Sequence, residues 1–281
     1  MDIKKEVIAA NIQVHSRMAE TYDKEEPHFR SENIARVERI LKEIYAQSGT
    51  SAQLDMGCGT GFIINIAKKY VNKITGVDVT QPMLDRVDKS GKCNIELFNS
   101  DIGEFEPIPG VYDIVTGYAF LHHLHDIKPA MITAYKALKS GGTLYCDLEP
   151  NYYFWESIHN LERNGSYDPI VKREIEMVTY KDEDVEKNYG VPKETFDKSE
   201  WGKNIAGGFK EEDVESLLKN IGFNKVKFIY HWYIGQAYLI NDYKASKEER
   251  FLYADVMNDI LHKTMPLARN LYKYIGFIAY K

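Results

Sequence analysis

A chain of 281 residues, 44% of them apolar, is long enough to build one large α/β domain around a full hydrophobic core. Its 36 basic and 42 acidic residues give a net charge of −6, which argues against a broad surface for nucleic acid. Three widely spaced cysteines without a C-x-x-C pair predict neither disulfides nor a structural zinc site, and they favour a reducing, cytoplasmic setting. The charged N-terminus has no apolar signal core, and no stretch approaches the ~20 apolar residues of a membrane span.

The first 50 residues are predicted to form a helical preface to a sheet. Apolar residues recur at helical spacing over 3–20 and 31–46, with Ser31 as the N-cap of the second helix. Strand and helix patterns then alternate. The first strand ends at Met56 and a helix opens at Phe62, followed by strands over 73–79, 94–99, 112–118 and 143–148 and helices over 81–89 and 128–138, the last closed by Gly141 and Gly142. This alternation predicts a parallel sheet covered by helices on both faces.

The alternation breaks after Pro150. Residues 151–208 are rich in Tyr, Asn, Lys and Glu and show only weak periodicity. Order resumes with a helix over 210–221, ended by Gly222, and a strand over 224–233. The remaining predictions are an irregular segment over 235–275 that contains an amphipathic helix around 251–261, and a short last strand over 276–280.

Residues 53–62 are the stretch around which the rest of the chain is organised. An apolar strand runs into glycines at positions 57, 59 and 61, and an apolar helix follows. Glycines at this spacing allow positive φ and let a ligand approach bare peptide N–H groups. The dinucleotide pattern requires glycine at position 62, where Phe62 stands, and the phosphate loop requires Gly-Lys-Ser/Thr, which is absent. Asp55 would repel a polyphosphate and favours a ligand with a cationic amino-acid end.

This D-x-G-x-G-x-G run resembles motif I of the class I S-adenosylmethionine-dependent methyltransferases of the small-molecule type. The resemblance implies an α/β fold with a Rossmann-like, doubly wound seven-stranded sheet, mostly parallel with an antiparallel last strand, plus helical lid insertions. It also implies S-adenosyl-L-methionine as cofactor and S-adenosyl-L-homocysteine as product. By the same resemblance, Asp55 and the backbone of Gly57, Cys58 and Gly59 would hold the methionine moiety.

Acids at two further strand ends fit the remainder of such a cofactor. Asp78 ends the second strand, where a carboxylate can accept both ribose hydroxyls in bidentate fashion. Val79 and Met83 are predicted to form an apolar wall against the adenine ring. In the resembling family an acid after the third strand hydrogen-bonds the adenine amino group and the next residue packs on the ring, and Asp101 and Ile102 match this pattern.

Residues 112–126 resemble the fourth-strand motif of small-molecule methyltransferases, in which the strand end faces the transferred methyl group and a histidine-rich loop follows. We assign Tyr118 and His122 to the cofactor site. His123 is the predicted catalytic base, because histidine titrates near neutrality, although a histidine that only hydrogen-bonds the backbone remains open. His122 and His125 at i, i+3 raise a metal site as an alternative. The resembling family rarely needs a metal, so we predict none.

Three further features flank these motifs. Tyr22 and His28 resemble the helical lid of the family, where a Tyr-Asp pair often touches the cofactor, and Tyr22 is assigned to cofactor binding and catalysis. The aromatic run 152–155 either walls a substrate pocket or forms the core of an inserted lid. Glu149 is a second candidate base.

The chain is therefore predicted to be an enzyme that methylates an oxygen or nitrogen atom of a small-molecule acceptor. We expect a single domain over 1–281, divided into an N-terminal lid (1–49), a cofactor-binding core (50–150), a substrate lid (151–208) and a C-terminal part of the sheet (209–281) with a helical insertion (235–275). Nucleic-acid acceptors are disfavoured because the sequence Gly-Tyr-Ala-Phe replaces Asp/Asn-Pro-Pro-Tyr at 117–120.

Two rival functions and two surface roles stay open at this point. A cofactor-binding protein without methyl transfer, such as a regulatory subunit or a cyclase, would use the same scaffold. A protein or lipid methyltransferase is the other rival. Acidic residues in the helix around 251–261 argue against a membrane partner with anionic lipid. That helix is expected to cover the sheet or to form a homodimer contact.

Overall fold

The fold is described here from a computed structural model, which covers residues 2–178 and 182–281. Its strands, in chain order, are β1 (Ala52–Met56), β2 (Lys73–Asp78), β3 (Asn94–Asn99), β4 (Tyr112–Tyr118), β5 (Leu138–Pro150), β6 (Lys225–Tyr233) and β7 (Tyr272–Tyr280). They form a seven-stranded sheet of order β3-β2-β1-β4-β5-β7-β6. β7 runs antiparallel to β5 and β6, and the other paired strands are parallel. The predicted seven-stranded, mostly parallel sheet with an antiparallel last strand is confirmed.

The α-helices lie between and around these strands. They are α1 (Ile3–Met18), α2 (Tyr22–Glu25), α3 (Ser31–Ser48), α4 (Phe62–Ala67), α5 (Gln81–Leu84), α6 (Lys128–Ala137), α7 (Tyr152–His159), α8 (Pro169–Val178), α9 (Asp182–Tyr189), α10 (Lys193–Ser199), α11 (Glu211–Ile221), α12 (Gln236–Asn241) and α13 (Lys247–Lys263). In the described part of the chain, no helix combines the length and the apolar character needed to cross a membrane.

Helices cover both faces of the sheet, which makes the fold doubly wound as predicted. On one face, α3 and α4 pack their apolar stripes against the strands, with Leu41 and Ile64 fully buried. On the other face, α6 and α11 do the same, with Met131 and Leu218 fully buried. Because both faces are covered, every residue of β1 and β4 is buried, including the polar ones.

The turn into β5 differs from the prediction. The helix ends at Ala137, and Leu138 already belongs to β5, where it pairs with Tyr112 of β4. Gly141 and Gly142 therefore do not close the helix but lie inside β5. The Gly141 N–H donates to the carbonyl of Lys281 at 3.1 Å, so pairing with the end of the chain extends the strand.

Other boundaries were also wrong. Ser31 is the first residue of α3 and its hydroxyl bonds Glu32, so it does not cap the helix. The helix predicted over 81–89 ends at Leu84. The last strand begins at Tyr272, because β6 continues to pair with it as far as Tyr233. Pairing between distant strands set this last boundary, and no local turn signal marks it.

Both irregular segments prove helical. The insertion after β5 contains α7 to α10 and a π-helical turn at Trp201–Ile205. Residues 179–181 of the predicted insertion lie outside the described residues. The second segment contains α12 and α13, and the helix predicted around 251–261 extends over Lys247–Lys263. A capping box fixes its start, since Ser246 and Glu249 bond each other's backbone N–H groups.

Candidate active site

A cleft of about 820 Å³ opens where β1, β2 and β4 end. This is the edge of an open parallel sheet at which ligands bind. Most of the predicted site residues line it: Tyr22, Gly57, Cys58, Gly59, Asp78, Val79, Met83, Asp101, Ile102, Tyr118 and His123. Asp55 and His122 are not part of the lining.

Gly57 and Gly59 of the turn differ in what an added side chain would contact. Gly57 and Gly59 both have positive φ, at 61° and 51°. A Cβ added at Gly57 would lie 1.9 Å from the ring of Phe120, so packing alone excludes a side chain there. At Gly59 a Cβ would meet nothing within 4 Å. The backbone of Gly59 is therefore open to the cleft.

Asp78 locks the turn as well as facing the cleft. Its Oδ2 accepts the Gly59 N–H at 2.9 Å and its Oδ1 accepts the Thr80 N–H at 2.8 Å. The expectation of bare N–H groups along the turn is thus wrong for Gly59. Burial raises the pKa of Asp78, and the two backbone bonds oppose that shift. Each carboxylate oxygen keeps a further lone pair for a ligand.

An apolar wall lies beyond Asp78. Met83 and Ile102 are almost fully buried and line the cleft beside Val79. Asp101 sits next to this wall, with its Oδ1 accepting the Gly103 N–H at 2.9 Å. Its Oδ2 forms an ion pair with Nζ of Lys4 at 2.7 Å, which ties α1 to the loop after β3.

Asp55 lies in β1 beneath the turn and is 1% exposed. Its Oδ1 accepts the Thr116 hydroxyl at 2.7 Å, and its buried Oδ2 has no hydrogen-bond partner within the described residues. Burial raises the pKa of Asp55 to about 7, and the Thr116 bond only partly offsets this. The predicted contact with the methionine moiety has no direct counterpart in the cleft lining.

The N-terminal segment contributes an aromatic cluster to the cleft. The ring of Tyr22 lies 5.8 Å from His28 and 6.1 Å from Phe29, between ring centroids. Burial, followed by the charge of Glu26, raises the pKa of Tyr22 well above its usual value, so its phenol keeps its proton at neutral pH. Burial lowers the pKa of His28 to about 4, and this ring is neutral.

His122 faces Glu149 rather than the cleft. Its Nδ1 lies 2.7 Å from Oε2 of Glu149. The same carboxylate also accepts the backbone N–H groups of Phe120, Leu121 and His122. Burial lowers the pKa of His122, but the carboxylates of Glu149 and Glu200 together outweigh burial, so the net shift of this pKa is upward. Glu149 thus anchors the histidine loop, and its accepted bonds argue against its candidacy as a base.

His123 is the residue of the histidine loop 122–125 whose imidazole lines the cleft, together with His15 and His28 from the N-terminal segment. Its Nδ1 lies 2.7 Å from the carbonyl oxygen of Ser199. A carbonyl only accepts, so Nδ1 carries the proton and Nε2 carries the lone pair in the neutral ring. Burial and the neighbouring His122 lower the pKa of His123 well below its usual value. The ring is therefore unprotonated at neutral pH.

Sequence reasoning missed the partners that hold His123 in place. Asn11 donates its amide to the His123 carbonyl at 2.9 Å, and the His15 ring contacts the His123 ring edge-on with 4.7 Å between centroids. Asn11 and His15 both line the cleft. One sequence signal could have revealed these partners: Asn11 and His15 are polar residues at i, i+4 on the face of α1 that buries Val7 and Val14.

The loop Ser199–Ile205 completes the surroundings of the histidines. Gly202 packs on the His122 backbone so closely that a Cβ there would lie 2.7 Å from the His122 Cα. His122, His123 and Glu200 offer ligand atoms within 4.8 Å of one another, but Lys203 already pairs with Glu200 at 3.0 Å. That ammonium group supplies the positive charge that a metal ion would bring.

Position also bears on the other open alternatives. His125 contacts Trp201, with 4.8 Å between ring centroids, and among the described residues it is not part of the group of possible metal ligands formed by His122, His123 and Glu200. The aromatic run after β5 packs inward, where Phe154 and Trp155 form a cluster with Ile175 of α8. These aromatics do not line the cleft, which favours the core of the insertion over a pocket wall.

Comparisons with known proteins agree with this geometry. Residues 54–146 match the family model described as a methyltransferase domain. The chain is 31% identical over 97 residues to an uncharacterized methyltransferase of Mycobacterium tuberculosis, covering 34% of this chain and 49% of that protein. It is 30% identical over 127 residues to a ubiquinone biosynthesis O-methyltransferase of Hydrogenovibrio crunogenus, covering 41% of this chain and 52% of that one. The chain thus spans about half the length of the curated relatives it matches.

A solved structure from Thermotoga maritima, described as an S-adenosylmethionine-dependent methyltransferase and possible histamine N-methyltransferase, shares the fold. The TM-score is 0.52 at 14% identity, over 96% of this chain and 99% of that one. The sheet order and the cleft at its edge define the class I methyltransferase fold. Residues 54–146 thus match a methyltransferase domain, and the chain shares the fold of a solved S-adenosylmethionine-dependent methyltransferase.

Proposed function

We propose that the chain transfers the methyl group of S-adenosylmethionine to an oxygen or nitrogen atom of a small-molecule acceptor. The observation that carries this proposal is a neutral histidine, His123, on the wall of the same cleft that the glycine turn and Asp78 line. The similarity to a ubiquinone biosynthesis O-methyltransferase supports a small acceptor. The chain would act as the single domain expected over 1–281, and its free, buried cysteines support a cytoplasmic location.

The residues of the cleft fit this cofactor. The cleft has a mostly apolar lining with a few polar groups, as small-molecule sites do. Asp78 would bind the ribose hydroxyls with its remaining lone pairs, and Met83 and Ile102 would pack on the purine. The open backbone at Gly59 would accommodate the amino-acid end, with the buried carboxyl group of Asp55 below it.

The protein has two tasks in this reaction. It must align the acceptor with the methyl group of the cofactor, and it must remove one proton from the acceptor. When bound, S-adenosylmethionine supplies an electrophilic methyl group, and the electron pair of the broken bond stays on sulfur as a neutral thioether. The acceptor proton passes to Nε2 of His123, while the bond from Nδ1 to Ser199 keeps the ring in the required tautomer. Tyr22 keeps its proton and serves as a hydrogen-bond donor.

The low basicity of His123 favours a hydroxyl acceptor over an amine. A hydroxyl oxygen becomes strongly acidic as it gains the methyl group, so a weak base is sufficient to take its proton. Alignment of the reactants supplies roughly 7–11 kcal/mol of the barrier reduction. A single general base accelerates the reaction by about 10²- to 10⁴-fold, which is a smaller contribution than that of alignment.

Binding is tested first, with Asp78→Asn and calorimetric titration of S-adenosylhomocysteine. We expect affinity to fall about 10- to 100-fold, since a charged hydrogen-bond acceptor is lost from a buried position. Asp126→Asn is the matched control, because Asp126 accepts the Lys128 N–H, an exposed local bond, and does not line the cleft. Equal affinity of the two variants would contradict the ribose role of Asp78.

Transfer is tested by incubating the protein with a metabolite extract and methyl-deuterated S-adenosylmethionine, followed by mass spectrometry. The expected result is a labelled product with one added methyl group. In His123→Gln the amide N–H can still bond Ser199, and turnover should fall about 10²- to 10⁴-fold with cofactor affinity retained. His125→Gln is the control and should keep turnover. A wild-type protein that binds the cofactor but labels no small molecule would favour the binding-protein or macromolecular alternatives.

A further inference from the structure

The outer face of α13 carries an apolar stripe. Its exposed members are Leu252, Tyr253, Val256, Met257 and Ile260, which are 42% to 58% exposed. They recur at helical spacing on one side of a helix that is about 25 Å long at 1.5 Å per residue. Contiguous exposed apolar surface of this kind marks an interaction site rather than ordinary surface.

The opposite side of α13 is the one that holds it to the sheet. Ala254 is buried, and its carbonyl accepts the Tyr233 hydroxyl at 3.0 Å. The Asn258 carbonyl accepts the Tyr272 hydroxyl at 3.2 Å. The stripe therefore points away from the protein body, and none of its side chains, all within residues 182–281, lines the cleft.

Neighbouring aromatic and aliphatic side chains widen the stripe. Tyr243 contacts both Tyr238 of α12 and Tyr253 of α13, with ring centroids about 6 Å apart, and all three rings are 41% to 42% exposed. Leu267, just beyond the end of α13, is 89% exposed. The exposed apolar surface thus extends beyond a single helix face.

The charges of the stripe are arranged symmetrically about Val256. Glu249 precedes Val256 by seven positions and Lys263 follows it by seven, which is about two helical turns in either direction. Both lie on the face of the stripe and both are exposed. Leu252 and Ile260 stand four positions before and after the same centre. The stripe is complementary to itself when it is turned end over end.

We propose that α13 pairs antiparallel with α13 of a second copy of this chain, across a two-fold axis at Val256. This pairing sets Glu249 against Lys263 of the partner subunit, twice over, and Leu252 against Ile260 of the partner subunit. A two-fold interface uses the same patch on both copies, as this stripe does. Lys263 now pairs within its own helix with Asp259, and both side chains are more than 60% exposed, so exchanging partners costs little.

A lipid surface fits the stripe less well. Asp255 and Asp259 flank it on the polar side of α13, where a membrane-bound helix would present basic residues. Anionic headgroups would be repelled by these carboxylates. The charge pattern therefore selects a second copy of the chain as occupant.

Sedimentation equilibrium of the full chain is the first test. Wild type should be a dimer at micromolar concentration, and Val256→Lys, which brings two like charges together at the axis, should weaken the dimer at least about 100-fold. Ile108→Lys is the control, since Ile108 is 69% exposed and lies in the loop between β3 and β4, and this variant should remain dimeric. A monomeric wild type, or a dimer unaffected by Val256→Lys, would overturn the proposal.

Charge exchange tests the register of the pair. Lys263→Glu and Glu249→Lys should each weaken the dimer about tenfold, because two ion pairs per dimer become repulsive. The double variant should regain the dimer, even though its capping box stays broken. No recovery would exclude the two-fold axis at Val256. Flotation of monomeric protein with phosphatidylglycerol vesicles would instead assign the stripe to a membrane. None of these measurements depends on methyl transfer.

Discussion

The two walls of the cleft are built in different ways. The floor is the Gly57–Gly61 turn together with Asp78 and Thr80, and its bonds join adjacent strands, as from Gly59 to Asp78. The roof is α1 together with the loop that carries His123. Its bonds join Asn11 to His123, 112 positions apart, and His123 to Ser199, 76 positions apart. The floor belongs to one strand–helix–strand unit, whereas the roof exists only after three distant segments have assembled.

This difference separates what binds the cofactor from what selects the acceptor. The predicted contacts with the nucleoside belong mostly to the floor, whose geometry follows from strand pairing and glycine conformations. Of the groups that would handle the acceptor, His123 belongs to the roof, and Tyr22 lies in α2, which directly follows α1. The roof depends on a few long-range hydrogen bonds, so it should be the less stable of the two walls.

The largest effect is expected from a substitution at Gly57, where the floor packs most closely on the Phe120 ring. Gly57→Ala should destabilise the protein by about 3 kcal/mol for two reasons. The new side chain would be strained by the positive φ, and its Cβ would overlap with the Phe120 ring. Gly59→Ala should cost only about 1 kcal/mol of stability, since the methyl group meets no protein atom. Urea denaturation measures both values.

The two glycine variants should also differ in cofactor binding. The Gly59→Ala methyl group occupies the cleft, so affinity for S-adenosylhomocysteine should fall in this variant although the fold is nearly intact. Similar stability losses in both variants would show that the floor is not set by the contact between Gly57 and Phe120.

A second effect on the floor depends on pH. The folded pKa of Asp55, about 7, lies above its unfolded value, so the folded state holds the extra proton. The contribution of the protonated Asp55 to the free energy of unfolding is therefore fully present below the unfolded pKa, and it is lost as the pH rises through the folded pKa of about 7. Relative to Asp55→Asn, wild type should lose about 3 kcal/mol between pH 5 and pH 8. Thermal unfolding at both pH values measures this difference.

The Asp55 prediction has a clear contrary outcome. Parallel pH dependences for wild type and Asp55→Asn would mean that the carboxylate is ionised at no cost, so water or another partner must reach it. Asp126→Asn serves as the matched control at an exposed position.

The smallest effect is expected from a substitution in the roof, at Asn11 of α1. Asn11→Ala leaves the His123 carbonyl without its donor, at a cost of about 1 kcal/mol. Because α1 is held by few such bonds, its amides should exchange about fivefold faster with solvent, while those of β1 and β2 stay protected. Gln13→Ala, at an exposed position of α1, should change neither. Uniformly faster exchange would show that roof and floor open together.

Much of the fold was predictable because its signals are local. The spans of β3 and β4 and the helix end at Gly222 follow from apolar runs and turn residues that lie next to each other in the chain. Boundaries failed where a distant strand decided them, as at Leu138, which pairs with β4, and at Tyr272, which pairs with β6.

The same distinction holds for the site. The sequence by itself determined the glycine turn, the acid at the end of β2 and the apolar wall, because strand order and glycine conformation place neighbours in the chain at one edge of the sheet. Only the tertiary structure decided which histidine faces the cleft. His122 and His123 are adjacent and chemically identical, and they are told apart by Glu149, Ser199 and Asn11, which come from three other parts of the chain. Hydrogen-bond partners supplied by distant segments leave no pattern in the local sequence, so the side chain's direction emerges only when those segments meet.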